Sequence, residues 1–425
     1  MRRELGLFDT TAVVIGAIIG VGIFFTPSEV AGIAGSVPAA LGLWVLGGVI
    51  AALGALVFAE LGRRYPRAGG QYDVLRDAWG SLAGFLYVFC NLTAIQTGSV
   101  AVIALICAEN LARAAGVDAP PTAQTLIGAV LLIGGLAAAN IIGVRQGARI
   151  QNVTVAAKLV TLATVVVLAV VADPPPPDAP AAVTPRVSML AGLLPAMFAY
   201  GGWQQALWVG GEVKDPERNL PRGILLGVAV VVVVYVSAAW AWFAILGFDG
   251  VATSKALAFD AATAVLGPWG GRLVAGAVAV SAFGVLNAQF LTGPRLVWAL
   301  SSDGRFFAPF ARLHPTFATP APAILLLAGL SLVVLFVAGI GDLTNWVVVV
   351  DALFFALTGL ALVRFQLRDG TLGMVSVAAV GFAFLELAAV YGAVIDPKVQ
   401  AAAFAGFAWV GVAALIWAVR FRRVS

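Results

Sequence analysis

Charge is what this sequence lacks most. Only 11% of its 425 residues are Asp, Glu, Lys or Arg, while 61% are hydrophobic and the mean hydropathy is +1.00. A soluble domain carries about 25% charged residues, so a chain surrounded by water is excluded. Polar–apolar alternation is also missing from runs such as Val228–Val236 and Ala323–Val337, which excludes a membrane β-barrel. Histidine is nearly absent: His314 is the one, in a polar loop beside Pro315, leaving little acid–base chemistry near neutral pH. The two cysteines, Cys90 and Cys107, fall in one helical run, about 25 Å apart at helical rise and too far for a disulfide. No His/Cys/Asp cluster, nucleophile elbow or phosphate loop is present. Metal, cofactor and enzymatic chemistry are therefore not expected. The short segment Met1–Leu7 runs into an apolar stretch without a small-residue cleavage site, so a cleaved signal peptide is not expected either.

What is present is a series of apolar runs, each near the 20 residues needed to span a bilayer. They number twelve: 8–33, 38–63, 80–112, 124–143, 149–172, 187–211, 222–247, 270–301, 321–340, 344–365, 372–395 and 400–420. Little chain remains outside the membrane, so 1–425 reads as one transmembrane domain. With the N-terminus inside, 19 of the 25 Lys and Arg fall on the inner side, the asymmetry expected of cytoplasmic loops. The outer side takes Arg113, Arg186, Lys255, Arg272 and Lys398, and Lys158 lies within a span. Both termini are expected in the cytoplasm. The net charge of +4 then reflects inner loops beside anionic lipid, not a nucleic-acid surface. The Pro-rich stretch Asp173–Pro185 reads as a stiff outer connection between two halves.

Two runs carry signs of interruption. The first holds Gly16, Gly20 and Gly22 within seven residues, each costing about 1 kcal/mol relative to Ala in a helix. The sixth holds Phe198-Ala-Tyr-Gly201-Gly202-Trp203 behind Pro195. Gly16 and Gly20 alone fit a GxxxG packing contact. A matching break in the partner helix of a five-plus-five repeat instead favours a transport site. Broken ends expose amide N–H groups on one side and carbonyls on the other, which attract a carboxylate and an ammonium respectively. An amino-acid zwitterion carries both.

Lys158 is expected about two turns into the fifth span, where an unpaired charge costs several kcal/mol. It either snorkels to the surface or bonds to carbonyls of the unwound first helix. Glu60, beside Arg63 and Arg64, anchors an inner helix end. Asp351 and Glu386, each in apolar sequence, fit a proton site or a polar packing contact equally, and neither receives a role.

In order and spacing, several motifs together resemble the amino acid–polyamine–organocation superfamily, specifically its L-type amino acid transporter branch in prokaryotic form. They are Gly20-Val-Gly-Ile-Phe24, Ala59-Glu-Leu-Gly62, Pro66-Arg-Ala-Gly-Gly-Gln-Tyr72, Ala156-Ala-Lys158-Leu, Phe198-Ala-Tyr-Gly-Gly-Trp203, Asp215-Pro-Glu-Arg-Asn-Leu-Pro221, Ser281-Ala-Phe-Gly284 and Arg295. The resemblance covers about Leu5 to Arg364. It implies an all-α polytopic protein of 12 transmembrane helices with a LeuT-type 5+5 inverted repeat and unwound helices 1 and 6. Repeat one covers about 8–172, repeat two about 187–365, and two extra helices about 372–420.

The same resemblance implies roles. Amides of Gly20, Val21 and Gly22 would bind the substrate carboxylate. Carbonyls of Ile18, Ile19, Phe198, Ala199 and Gly201 would surround the ammonium. Phe198 would gate the outer side, while Trp203, Gln204 and Gly98 would shape the side-chain end. Lys158 would reach the backbone near Gly16 and Ile19 and the hydroxyl of Ser281, replacing a sodium ion. Val21 departs from the Ser that many relatives carry, so a hydroxyl there is lost. Residues 112–124 hold no cysteine, so the disulfide-linked glycoprotein of animal members is not expected. The implied function is sodium-independent transport of neutral L-amino acids, as an exchanger. Proton-coupled symport and a polyamine or organic-cation substrate stand as alternatives, and a membrane enzyme or transport-silent receptor as a third class.

Overall fold

The computed structural model describes residues 2–117, 120–171, 193–254, 256–337, 343–395 and 400–421. The Pro-rich stretch 173–185 lies outside them, as do Arg186, Lys255, Lys398, Arg422 and Arg423 from the loop tally. The helices are α1 Leu7–Ile18, α2 Thr26–Ala34, α3 Val37–Arg64, α4 Gly70–Trp79, α5 Ser81–Cys90, α6 Thr97–Ala114, α7 Thr122–Ile142, α8 Val144–Val171 and α9 Leu193–Tyr200. They continue with α10 Gln205–Trp208, α11 Pro216–Thr253, α12 Leu257–Leu266, α13 Pro268–Thr292, α14 Pro294–Ser302, α15 Ala321–Val337, α16 Leu343–Asp369, α17 Met374–Ile395 and α18 Gln400–Ile416. Apart from the isolated bridge pairs Leu5–Val213 and Ala68–Val209, the described residues hold no strand.

Local chemistry sets many of the boundaries. Proline stands in the first turn of α2, α3, α11, α13 and α14, where its missing N–H costs nothing. Gly35, at φ 72°, ends α2 in the left-handed conformation. A π-helical turn, Asn91–Gln96, joins α5 to α6 in one long span.

Nine helices among the described residues are long and apolar enough to cross a membrane. The twelve apolar runs differ from this count in three places. The first run divides into α1 and α2, and the sixth into α9 and α10, so neither forms one long helix. The ninth gives α15, of 17 residues. Large apolar side chains such as Leu131, Val153, Val233 and Phe384 point outward with more than half their surface exposed. That is the surface a lipid-embedded bundle presents, since hydrocarbon rewards no burial of leucine.

At the centre α1 packs against α8, α11 and α13, while α9 lies on α3 and α10 meets α11 and α13. α16 and α17 form a neighbouring pair, with α17 also on α3. One end of the bundle is tied by the chain's start. The amides of Glu4 and Leu5 both donate to the Glu212 carbonyl, at 2.8 and 2.9 Å, and the Lys214 amide donates to Leu5 at 2.8 Å.

Candidate functional site

Helical bonding in α1 stops with the Ile19 amide on the Ile15 carbonyl and restarts with Phe24 on Val21. The amides of Gly20, Val21 and Gly22 fall between the two ladders. In the second break α9 ends at Tyr200, Gly202 turns at φ 129°, and α10 begins at Gln205. The breaks face each other closely. A Cβ on Gly202 would stand 2.7 Å from the Ala17 carbonyl oxygen, and one on Gly22 would touch Ala199 at 3.4 Å. Gly202 thus needs to be glycine twice over, for its backbone angle and for its neighbour.

Lys158 reaches this break. α8 begins at Val144, directly after Gly143, rather than at 149. Lys158 therefore sits about four turns into the helix, not two. It is 3% exposed, which removes the snorkelling reading. Its Nζ donates to the Gly16 carbonyl at 3.0 Å and to Ile19 at 2.6 Å. Gly284 makes room for it, since a Cβ there would lie 2.9 Å from Nζ. Ser281 does not bond to the lysine; its hydroxyl donates to Gly20 at 3.2 Å and more weakly to Ile19 at 3.5 Å. Lysine and serine therefore meet through the broken backbone. A carbonyl has two lone pairs, so Ile19 is fully engaged. Ile18 spends one pair on the Tyr235 hydroxyl at 2.9 Å and keeps the other.

Gly16 faces a polar cluster that sequence reading missed. A Cβ there would stand 1.7 Å from the Gln151 amide nitrogen. Gln151 accepts from Asn287 at 2.8 Å, and Asn287 also donates to Gly147 and accepts from Asn140. Three buried amides thus lock α7, α8 and α13 around the lysine.

A cavity of about 200 Å³ opens beside the breaks. Ile18, Gly20, Val21 and Gly22 line it from the first break, and Phe198, Ala199, Gly201, Trp203 and Gln204 from the second. Phe198 is 47% exposed. Gln204 also serves its own loop, accepting from the Gly202 amide at 3.0 Å. Gly16, Ile19, Lys158 and Ser281 are not among the lining residues, and Gly98 is buried but lines nothing; Asn91, Ile95 and Ser99 take its place. The remaining wall holds Gln96, Gln289, Asp351, Phe355 and Glu386. Among the described residues no His/Cys/Asp/Glu group could hold a metal ion.

Outside the cavity lining, charge is dense and paired. Arg295 and Glu212 form a doubly bonded ion pair at 3.0 and 3.1 Å, both almost wholly buried. Nearby Asp73 is held by Arg67 at 3.1 Å and Arg76 at 3.0 Å, and Arg76 and Tyr72 both reach Asp303. Burial pushes the Asp73 carboxyl up to about 6, against the pull of the two arginines. Glu60 pairs with Arg63 at 2.8 Å and lies 3.6 Å from Arg64.

The family described as "Amino acid permease" matches residues 5–419. The chain belongs to that family, within the amino acid–polyamine–organocation superfamily and its L-type branch. It is 33% identical over 371 residues to the "Large neutral amino acids transporter small subunit 2" of Rattus norvegicus, covering 84% of this chain and 69% of that protein. It is 31% identical over 378 residues to the "Asc-type amino acid transporter 1" of Mus musculus, covering 87% and 71%. To the mouse "b(0,+)-type amino acid transporter 1" it is 29% identical over 381 residues, covering 87% and 77%. The chain is a multi-pass membrane transporter of amino acids, not an enzyme.

Proposed function

We propose that this protein carries neutral L-amino acids across the cell membrane without sodium, exchanging one for another by alternating access. The bond from Lys158 to the Gly16 and Ile19 carbonyls carries this reading. A fixed ammonium already supplies the positive charge at the unwound first helix, and a sodium ion beside it would meet like-charge repulsion. The amides of Gly20, Val21 and Gly22 hold the substrate carboxylate. The free lone pair of Ile18 and the carbonyls ending α9 hold its ammonium. Phe198 closes the outer side, while Trp203 and Gln204 bound the side-chain end.

In this reading the chain crosses the membrane twelve times as one domain, with helices one to five repeated upside down as six to ten, and both termini lie in the cytoplasm. The loop-charge asymmetry supports that orientation. Absence of cysteine from residues 112–124 supports transport without a disulfide-linked subunit.

Proteoliposomes test exchange and coupling together. Vesicles preloaded with L-alanine should take up labelled L-alanine faster than empty ones, with no response to sodium. Uptake driven by a proton gradient without acceleration by internal substrate would overturn exchange in favour of symport.

A further inference from the structure

The cavity wall opposite in character to the breaks is acidic and aromatic. Asp351 on α16 and Glu386 on α17 both line it, and neither has a hydrogen bond or ion pair among the described residues. Their placement follows from their neighbours. Phe355 follows Asp351 by one turn on α16, and Phe382 precedes Glu386 by one turn on α17, so each pair shares a helix face. Both phenylalanines pack on Trp203, Phe355 stacked at 5.6 Å and Phe382 edge-on at 6.3 Å. The carboxylates therefore flank the same aromatic cluster and line the same cavity.

Two glutamines line other parts of the cavity. Gln289 is 4% exposed; its Nε2 is fixed on the Ser99 hydroxyl at 2.7 Å, and its Oε1 is buried with no partner. Gln96, also 4% exposed, has a buried Oε1 without a partner. Both line the cavity, and among the described residues no Lys, Arg or His does. Lys158 is spent on the Gly16 and Ile19 carbonyls. Among the described residues this wall thus offers carboxylates and ring faces and no cation.

We propose that Asp351 and Glu386, with Phe355 and Trp203, form a subsite for a second ammonium, so that the substrates extend to diamino acids. A zwitterion brings no net charge to compensate the carboxylates, whereas a diamino acid brings one positive charge. A primary ammonium has three donors to spend on the acceptors, and ring faces favour a cation desolvated against them. The subsite rests on the amino-acid reading above, because the α-carboxylate and α-ammonium must first be held at the breaks.

L-ornithine and L-norvaline form a matched pair of probes, differing by the terminal ammonium. In proteoliposomes of the full chain, both should compete with labelled L-alanine uptake. Asp351→Asn and Glu386→Gln should each raise the ratio of ornithine to norvaline inhibition constants by about tenfold or more, the loss expected for a hydrogen bond to a charged group. Thermal-shift titration of the same variants with both probes checks that folding is intact and reads binding directly. Norvaline competition without ornithine competition in the wild type overturns the subsite but not the amino-acid reading. An unchanged ratio in both variants does the same. A pH-dependent norvaline uptake abolished by these variants, with ornithine excluded, would assign the carboxylates to a proton instead. Failure of both probes to bind and to compete with alanine sinks both readings.

Discussion

Lys158 and Arg295 are both cations withdrawn from water, 3% and 0% exposed, yet they are held in opposite ways. Arg295 meets a carboxylate in a two-bond fork, a geometry its planar guanidinium suits. Lys158 meets two backbone carbonyls that exist as acceptors only because α1 is broken there. The first arrangement survives any motion that keeps α14 and residues 210–212 together. The second depends on the local shape of a helix end, so it changes whenever that end moves. A buried ion pair therefore fastens this protein, and a lysine on open carbonyls reports the state of its moving part.

The comparison can be broken from either side. Arg295→Met alone leaves Glu212 buried and unpaired, and should cost about 3–5 kcal/mol of stability. The double change with Glu212→Leu should recover most of that in thermal melts of detergent-purified protein. Equal losses in the single and double variants would show that the charge pair is not the fastener. Lys158→Ala should lower uptake about a hundredfold, because the broken end of α1 loses two hydrogen bonds to a charged donor, while thermal melts still show a cooperative, folded protein. Wild-type uptake in that variant would separate the lysine from the transport cycle. Tyr235→Phe frees the second lone pair of the Ile18 carbonyl and should cost about 1 kcal/mol, read as a several-fold change in KM for alanine.

The smallest effect concerns Asp73. Its carboxyl titrates near 6 in the folded protein, above the ordinary value of 3.8. Between these values the folded state holds a proton that the unfolded chain has released. Its contribution to stability is therefore present at low pH and falls as pH rises through this window. Asp73→Asn should flatten the pH dependence of melting between pH 4 and 6; an unchanged slope would mean that Arg67 and Arg76 compensate the burial fully.

Where sequence was legible, composition or glycine made it so. Gly20, Gly22, Gly201 and Gly202 mark both breaks because a helix interior tolerates glycine poorly, and apolar runs mark the helices. Gly98 came from the resemblance, and on this helix Asn91, Ile95 and Ser99 are the residues that line the cavity. Ser281 and Lys158 meet through the shared Ile19 carbonyl and not directly, because that contact depends on where α13 crosses α1. Asp351 and Glu386 stayed without a role because apolar surroundings in sequence are the same for a lipid face and a cavity wall. Only the packing of Phe355 and Phe382 on Trp203 distinguishes them. The Gln151–Asn287–Asn140 cluster spans three helices far apart in the chain, and no local pattern marks it.

The tie between Leu5 and residues 212–214 has a thermal consequence. Its three bonds are main chain to main chain, and water can replace each at nearly equal enthalpy. Beside a long Glu4–Arg145 ion pair at 3.6 Å, the main hold on the segment is the Leu5 side chain, 1% exposed, whose burial contributes about 2 kcal/mol. An apolar contact weakens on cooling. The start of the chain should thus let go more readily in the cold, making this fastening loosest where most of the bundle's polar bonds are firmest.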